Sequence, residues 1–135
     1  MSRSAIYTVN PSVQNVAVDG IINLGTINRR YGCNLDLGGN GILVSGAGYY
    51  LVNASITAAP STEGQVTVTM NKDGVPVSGA TASATAAAAG DLTNLSISCI
   101  IRENCQCCEG LSNLTFVLTE TASSVSNIAV DVVKL

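Results

Sequence analysis

Residues 46–77 read GAGYYLVNASITAAPSTEGQVTVTMNKDGVPV, and their pattern decides the fold. Tyr50, Val52, Ala54 and Ile56 fall at every second position, with Leu51, Asn53 and Ser55 between them. Val66, Val68 and Met70 then alternate with Gln65, Thr67, Thr69 and Asn71. A period of two sends successive side chains to opposite faces, so each run predicts a strand with one buried face. Asp73-Gly74 closes the second run, and that pair readily takes the positive φ angles of a tight hairpin turn. Pro76 has no amide hydrogen for a sheet ladder, which predicts an edge position or a late start for the strand it enters.

The same rhythm runs outward in both directions. Residues 6–9 form a first strand, 13–18 resume after Pro11-Ser12, and Asp19-Gly20 turns the chain. Residues 21–27 are a third apolar run, closed by a predicted loop INRRYG, and 33–37 alternate before the turn at 38–41. Residues 79–90, GATASATAAAAG, pose a conflict between propensity and period. Four consecutive alanines favour helix, yet Thr81, Ser83 and Thr85 alternate with alanines, and β-branched threonine suits a pleated surface. The alternation predicts strand over 77–86 and a turn at 87–91. Leu95, Ile97, Cys99 and Ile101, then Leu114, Phe116 and Leu118, then Ile128, Val130 and Val132 repeat the pattern. About eight to ten short strands without helix predict an all-β, antiparallel jelly-roll sandwich. One domain over 1–135 is expected, with 1–14 as an N-terminal arm.

Composition narrows function mainly by exclusion. A chain of 135 residues buries roughly two-thirds of its unfolded surface, enough for a core without disulfides or metal. Charged residues make up 11%, against roughly 25% in ordinary domains, so Ser, Thr and Asn must cover much of the surface. The net charge of −3 opposes nucleic-acid binding, which needs clustered Lys and Arg. Arg29-Arg30 reads as a solvated loop or an intersubunit ion pair. No apolar run approaches the roughly 20 residues of a membrane span, and no secretory signal is legible, which predicts a product assembled without secretion.

The chain contains no histidine. That removes the commonest general base, the Ser-His-Asp and Cys-His arrangements and most metal-site patterns. Asp19, Asp73 and Asp91 sit at turns, where aspartate bonds nearby amides. Gly46-Ala47-Gly48 lacks the following helix of a phosphate loop. No catalytic or cofactor-binding residue is therefore expected. The densest cluster, residues 103–110, reads as an exposed hairpin tip holding Cys105, Cys107 and Cys108. Cys-x-Cys-Cys is not standard zinc spacing, so these three are weak metal candidates. Free thiols, or disulfides reaching Cys33, Cys99 or another subunit, are the alternatives. Asn53, Asn94 and Asn113 open N-glycosylation sequons that read as coincidence inside strands.

Gly48-Tyr49-Tyr50-Leu51-Val52, the strand and hairpin VTVTMNKDGVPV and the final SNIAVDVVKL resemble the tumour-necrosis-factor-like jelly roll. That superfamily includes complement globular heads and the C-terminal domains of collagen-like spore-surface proteins. The resemblance covers about residues 15–135. It implies a compact homotrimer around an axis, with Gly48 and Tyr50 as fold-bearing residues beside the turn pair Asp73 and Gly74. A Gly-X-Y stalk and the aromatic-rich interface of the animal members are not legible, so a receptor-ligand role is not implied. The chain is also similar to small bacteriophage structural proteins. The first expectation is thus a non-enzymatic virion component of head-decoration or fibre type, assembled in the bacterial host cytoplasm against a capsid or other structural-protein surface. The alternative is a spore-coat or cell-surface adhesion module, for which a glycan is a candidate ligand.

Overall fold

The computed structural model describes residues 3–103 and 112–135. Those residues form eleven strands: β1 (Ala5–Asn10), β2 (Gln14–Val16), β3 (Thr26–Tyr31), β4 (Leu35–Gly38), β5 (Gly41–Val44), β6 (Gly48–Pro60), β7 (Gly64–Lys72), β8 (Val75–Ala86), β9 (Thr93–Glu103), β10 (Ser112–Thr119) and β11 (Ser123–Lys134). The first sheet has the order β3-β1-β11-β6-β9, with β2 added beside β11, and the second has the order β4-β5-β10-β7-β8. The strand pairings are antiparallel, as expected of a jelly roll.

Alternation places the core. Tyr50, Val52, Ala54, Ile56 and Ala58 point inward from β6, and Val66, Val68 and Met70 meet them from β7. Leu95 and Ile97 of β9, Leu114, Phe116 and Leu118 of β10, and Ile128, Val130 and Val132 of β11 complete one cluster between the sheets. Asp73 and Gly74 both have positive φ, 53° and 83°, giving the tight turn between β7 and β8. Pro76 enters β8, which is an edge of the second sheet. Residues 77–86 are strand despite their alanines, because Val68 and Thr69 supply ladder partners in Ala82 and Thr81.

Four expectations are corrected. Residues 27–31 are not loop but most of β3, an edge strand exposed at every position. Backbone pairing with β1 holds it, and that pairing leaves no apolar alternation to read. The arm expected over 1–14 includes β1, which lies between β3 and β11 within the first sheet. Glu103, assigned to an exposed tip, is buried and accepts a hydrogen bond from Ser112 Oγ. The strands β6, β8, β9 and β11 are also longer than the short strands expected, at 11 to 13 residues.

Candidate functional site: the outer face of the first sheet

The register of the first sheet places distant residues side by side. Tyr31 pairs with Ala5, Ala5 with Val133, Val133 with Leu51, and Leu51 with Ile100. These five side chains form one row across the outer face, and the row is apolar along its whole length. Tyr49 and Leu135 flank it, two residues along β6 and β11 from Leu51 and Val133, with the Leu135 amide donating to the Tyr49 carbonyl at 2.8 Å. Tyr31, Tyr49, Ile100 and Leu135 are each more than half exposed. Arg102 lies beside Tyr49, its guanidinium carbon 6.0 Å from the ring centroid. The next row is polar: Arg29, Tyr7, Asp131, Asn53 and Ser98.

The face is hollowed at Ala5. A groove of about 320 Å³ is bounded by Tyr7, Arg29, Tyr31, Asp131 and Val133. A second hollow of about 550 Å³ adjoins it through Ala5, Tyr31 and Val133. The opposite sheet presents a different surface. Its outer face carries hydroxyls already bonded to one another, Thr67 to Ser83 at 2.8 Å and Thr69 to Thr81 at 3.2 Å. At the far end of the strands, a depression of about 490 Å³ is lined by Ala, Gly, Pro, Val, Ser and Asn and holds no titratable group. Water wets such an exposed apolar row unfavourably, which makes this face the candidate contact surface.

No protein-family model and no curated protein matches this chain. Solved structures do. Murine APRIL at pH 5.0 superposes with a TM-score of 0.74 and 12% identity, over 98% of this chain and 99% of that one. Eiger TNF from S. frugiperda gives a TM-score of 0.71 and 11% identity, over 98% and 91%. The PRD1 vertex protein P5 gives 0.69 and 16% identity, over 98% and 96%. The fold is the tumour-necrosis-factor-like jelly roll.

Within this jelly roll the four residues expected to bear the fold lie toward one end of the sandwich, where Gly48 pairs with Glu103, Glu103 meets Ser112, and Asp73 bonds the neighbouring Asn113. Gly48 opens β6 at φ 145°, a conformation favouring glycine, and a Cβ there would lie 3.1 Å from Lys134 Cε. Tyr50 is fully buried, and its hydroxyl shares its hydrogen between the carbonyls of Ser45 at 3.0 Å and Gly46 at 2.8 Å. Burial, and secondarily the charge of Glu103, raise the Tyr50 pKa above its ordinary value of 10.0. Asn34 adds a second clasp, donating from Nδ2 to the Ser45 carbonyl at 2.8 Å and accepting from Ser4 Oγ at 2.8 Å. The Asp73 carboxylate accepts from the Asn113 amide at 2.9 Å, tying the β7–β8 turn to β10.

Cys105, Cys107 and Cys108 lie outside the described residues. Among the described residues Cys33, exposed, and Cys99, half-buried, form no disulfide, and burial pushes the Cys99 thiol pKa up. Among the described residues no group of His, Cys, Asp and Glu is arranged to hold a metal. The aromatic surface that composition hides is present: three of the four tyrosines, Tyr7, Tyr31 and Tyr49, share the outer face of the first sheet. A signal for this face exists in the sequence. Leu51, Ile100 and Val133 are apolar at the very positions where alternation calls for polar side chains.

Proposed function

We propose that this chain is a non-enzymatic structural protein whose 1–135 domain assembles as a homotrimer through the outer face of the first sheet. In this reading the trimer is a bacteriophage virion component of head-decoration or fibre type, assembled in the host cytoplasm. The observation that carries the assembly is the continuous row Tyr31, Ala5, Val133, Leu51 and Ile100, flanked by Tyr49 and Leu135. The row is uneven, with a hollow at Ala5 beside Tyr31 near one end and the more than half exposed Ile100 on edge strand β9 at the other. A hollow and an exposed side chain on separate parts of one face favour head-to-tail contacts, which close into a ring when the rotation permits. The tumour-necrosis-factor-like resemblance supports three-fold closure.

The virion reading is supported by the likeness of this fold to a protein named as a vertex protein and by the lack of any histidine-based catalytic centre. The hydroxyl-bearing outer face of β7 and β8 is then left outward. Immuno-electron microscopy of phage particles from the native source tests it. Labelling of the capsid or fibres at regular positions supports the reading, and label confined to spores or cell envelopes overturns it.

A further inference from the structure

Arg29 and Arg30 are neighbours in sequence but face opposite ways. Arg30 pairs with inward-facing Ile6 and is engaged within the subunit. Its Nε donates to the Leu35 carbonyl at 2.9 Å, and its guanidinium stands 3.6 Å from the Asp36 carboxylate. Arg29 pairs with outward-facing Tyr7 and is exposed on the rim of the Ala5 groove. Among the described residues it enters no ion pair, the pair there being Arg30–Asp36.

Asp131 has the complementary position. It lies on the central strand β11, half-buried, in the same row as Arg29 with Tyr7 between them. Asn53 Nδ2 reaches it only at 3.4 Å, and no cation among the described residues comes within ion-pair distance. A carboxylate in this place is tolerable while water covers it. Covered by another protein surface, it must be met by a cation, because an unpaired charge loses its hydration without compensation.

We infer that Arg29 of one copy of this chain pairs with Asp131 of the next across the subunit contact. The inference rests on the assembly proposed above. A rotation about an axis along the strands keeps each row at its own height, so row partners meet across the contact. Arg29 and Asp131 occupy the same row. Arg102 does not: it lies four residues away along the strands, about 13 Å at roughly 3.3 Å per residue, and is stacked beside Tyr49. Each subunit offers Arg29 at the edge strand and Asp131 at the centre, so the pair repeats at every contact of a closed ring. The pair therefore selects register and partner, while the apolar row beside it supplies most of the attraction.

The test is sedimentation equilibrium on four full-length proteins: wild type, Arg29→Asp, Asp131→Arg and the double variant. Each single reversal should weaken association by at least about tenfold, and the double variant should recover to within about threefold of wild type. Circular dichroism melting of all four separates a folding defect from an assembly defect, and Asp131→Asn provides a milder variant should a reversal fail to fold. If wild type assembles and the single variants match it, or the double variant stays as weak as the singles, the pairing is wrong and the assembly stands. If wild type is a monomer throughout, the assembly reading fails, and the pairing with it.

Discussion

Replacing Ile100 with alanine should dissolve the proposed assembly while leaving the subunit folded. Ile100 is on the outer face of edge strand β9 and is 58% exposed in the subunit, so its contact with its own chain is partial. Ile→Ala removes three carbons, worth about 2.4 kcal/mol if fully transferred from water at about 0.8 kcal/mol each. Scaling by the exposed share leaves about 1.4 kcal/mol gained on assembly per subunit, and about 4 kcal/mol in a three-subunit ring. At about 1.4 kcal/mol per decade, the monomer–trimer constant falls roughly a thousandfold. Sedimentation velocity over a concentration series reads this directly as a shift of the boundary from trimer to monomer. The melting temperature of the monomer should barely move. An unchanged association constant would refute the placement of Ile100 in the contact, whereas a collapse of the fold would show that β9 depends on its outer face.

Tyr50→Phe should cost the subunit about 1 kcal/mol by urea unfolding, since Asn34 still satisfies the Ser45 carbonyl and Gly46 is partly solvated. The same variant should flatten the alkaline limb of stability. Tyr50 has a raised folded pKa, so its contribution is complete below the unfolded value of 10.0 and is lost as pH rises through the folded value. Wild type and Tyr50→Phe melts compared from pH 8 to 11, both values being on the order of the tyrosine pKa range, would show equal slopes if this is wrong. Gly74→Ala forces a Cβ into φ 83° with nothing within 4 Å to clash, so backbone strain alone should destabilise the hairpin by about 1–2 kcal/mol. Calorimetry checks it, and an unchanged transition would remove the turn assignment. Changing Cys105, Cys107 and Cys108 together to serine should leave the circular dichroism spectrum and the mass unaltered, because the two sheets close on their own core. Loss of either would make that segment a structural clasp.

How far the sequence was legible follows from where alternation is unopposed. Through most of β6, β7, β10 and β11 every second residue is apolar and buried, so period located the core, the exceptions being buried Ser112 and Ser123 and a shift of phase at the 125–127 bulge of β11. In β8 the Thr81, Ser83 and Thr85 alternation outweighed the alanines because a ladder partner waits on β7. β3 was illegible for the opposite reason. All six of its residues are exposed, and its strand character comes from β1, some twenty residues earlier in the chain. Glu103 was placed in solvent because sequence shows neither its burial nor the Ser112 hydroxyl that bonds it. The candidate face was visible only in fragments. Tyr7, Tyr31, Leu51, Ile100 and Val133 are widely separated along the chain, and it is the strand order β3-β1-β11-β6-β9 that makes them one surface.

The most direct test of that surface is the mass of the native chain in solution, measured by light scattering coupled to size exclusion at micromolar concentration. The proposed assembly predicts a single species of about three times the 13.7 kDa subunit mass, persisting on dilution. A monodisperse species of one subunit mass would contradict the assembly, and with it the proposed structural role.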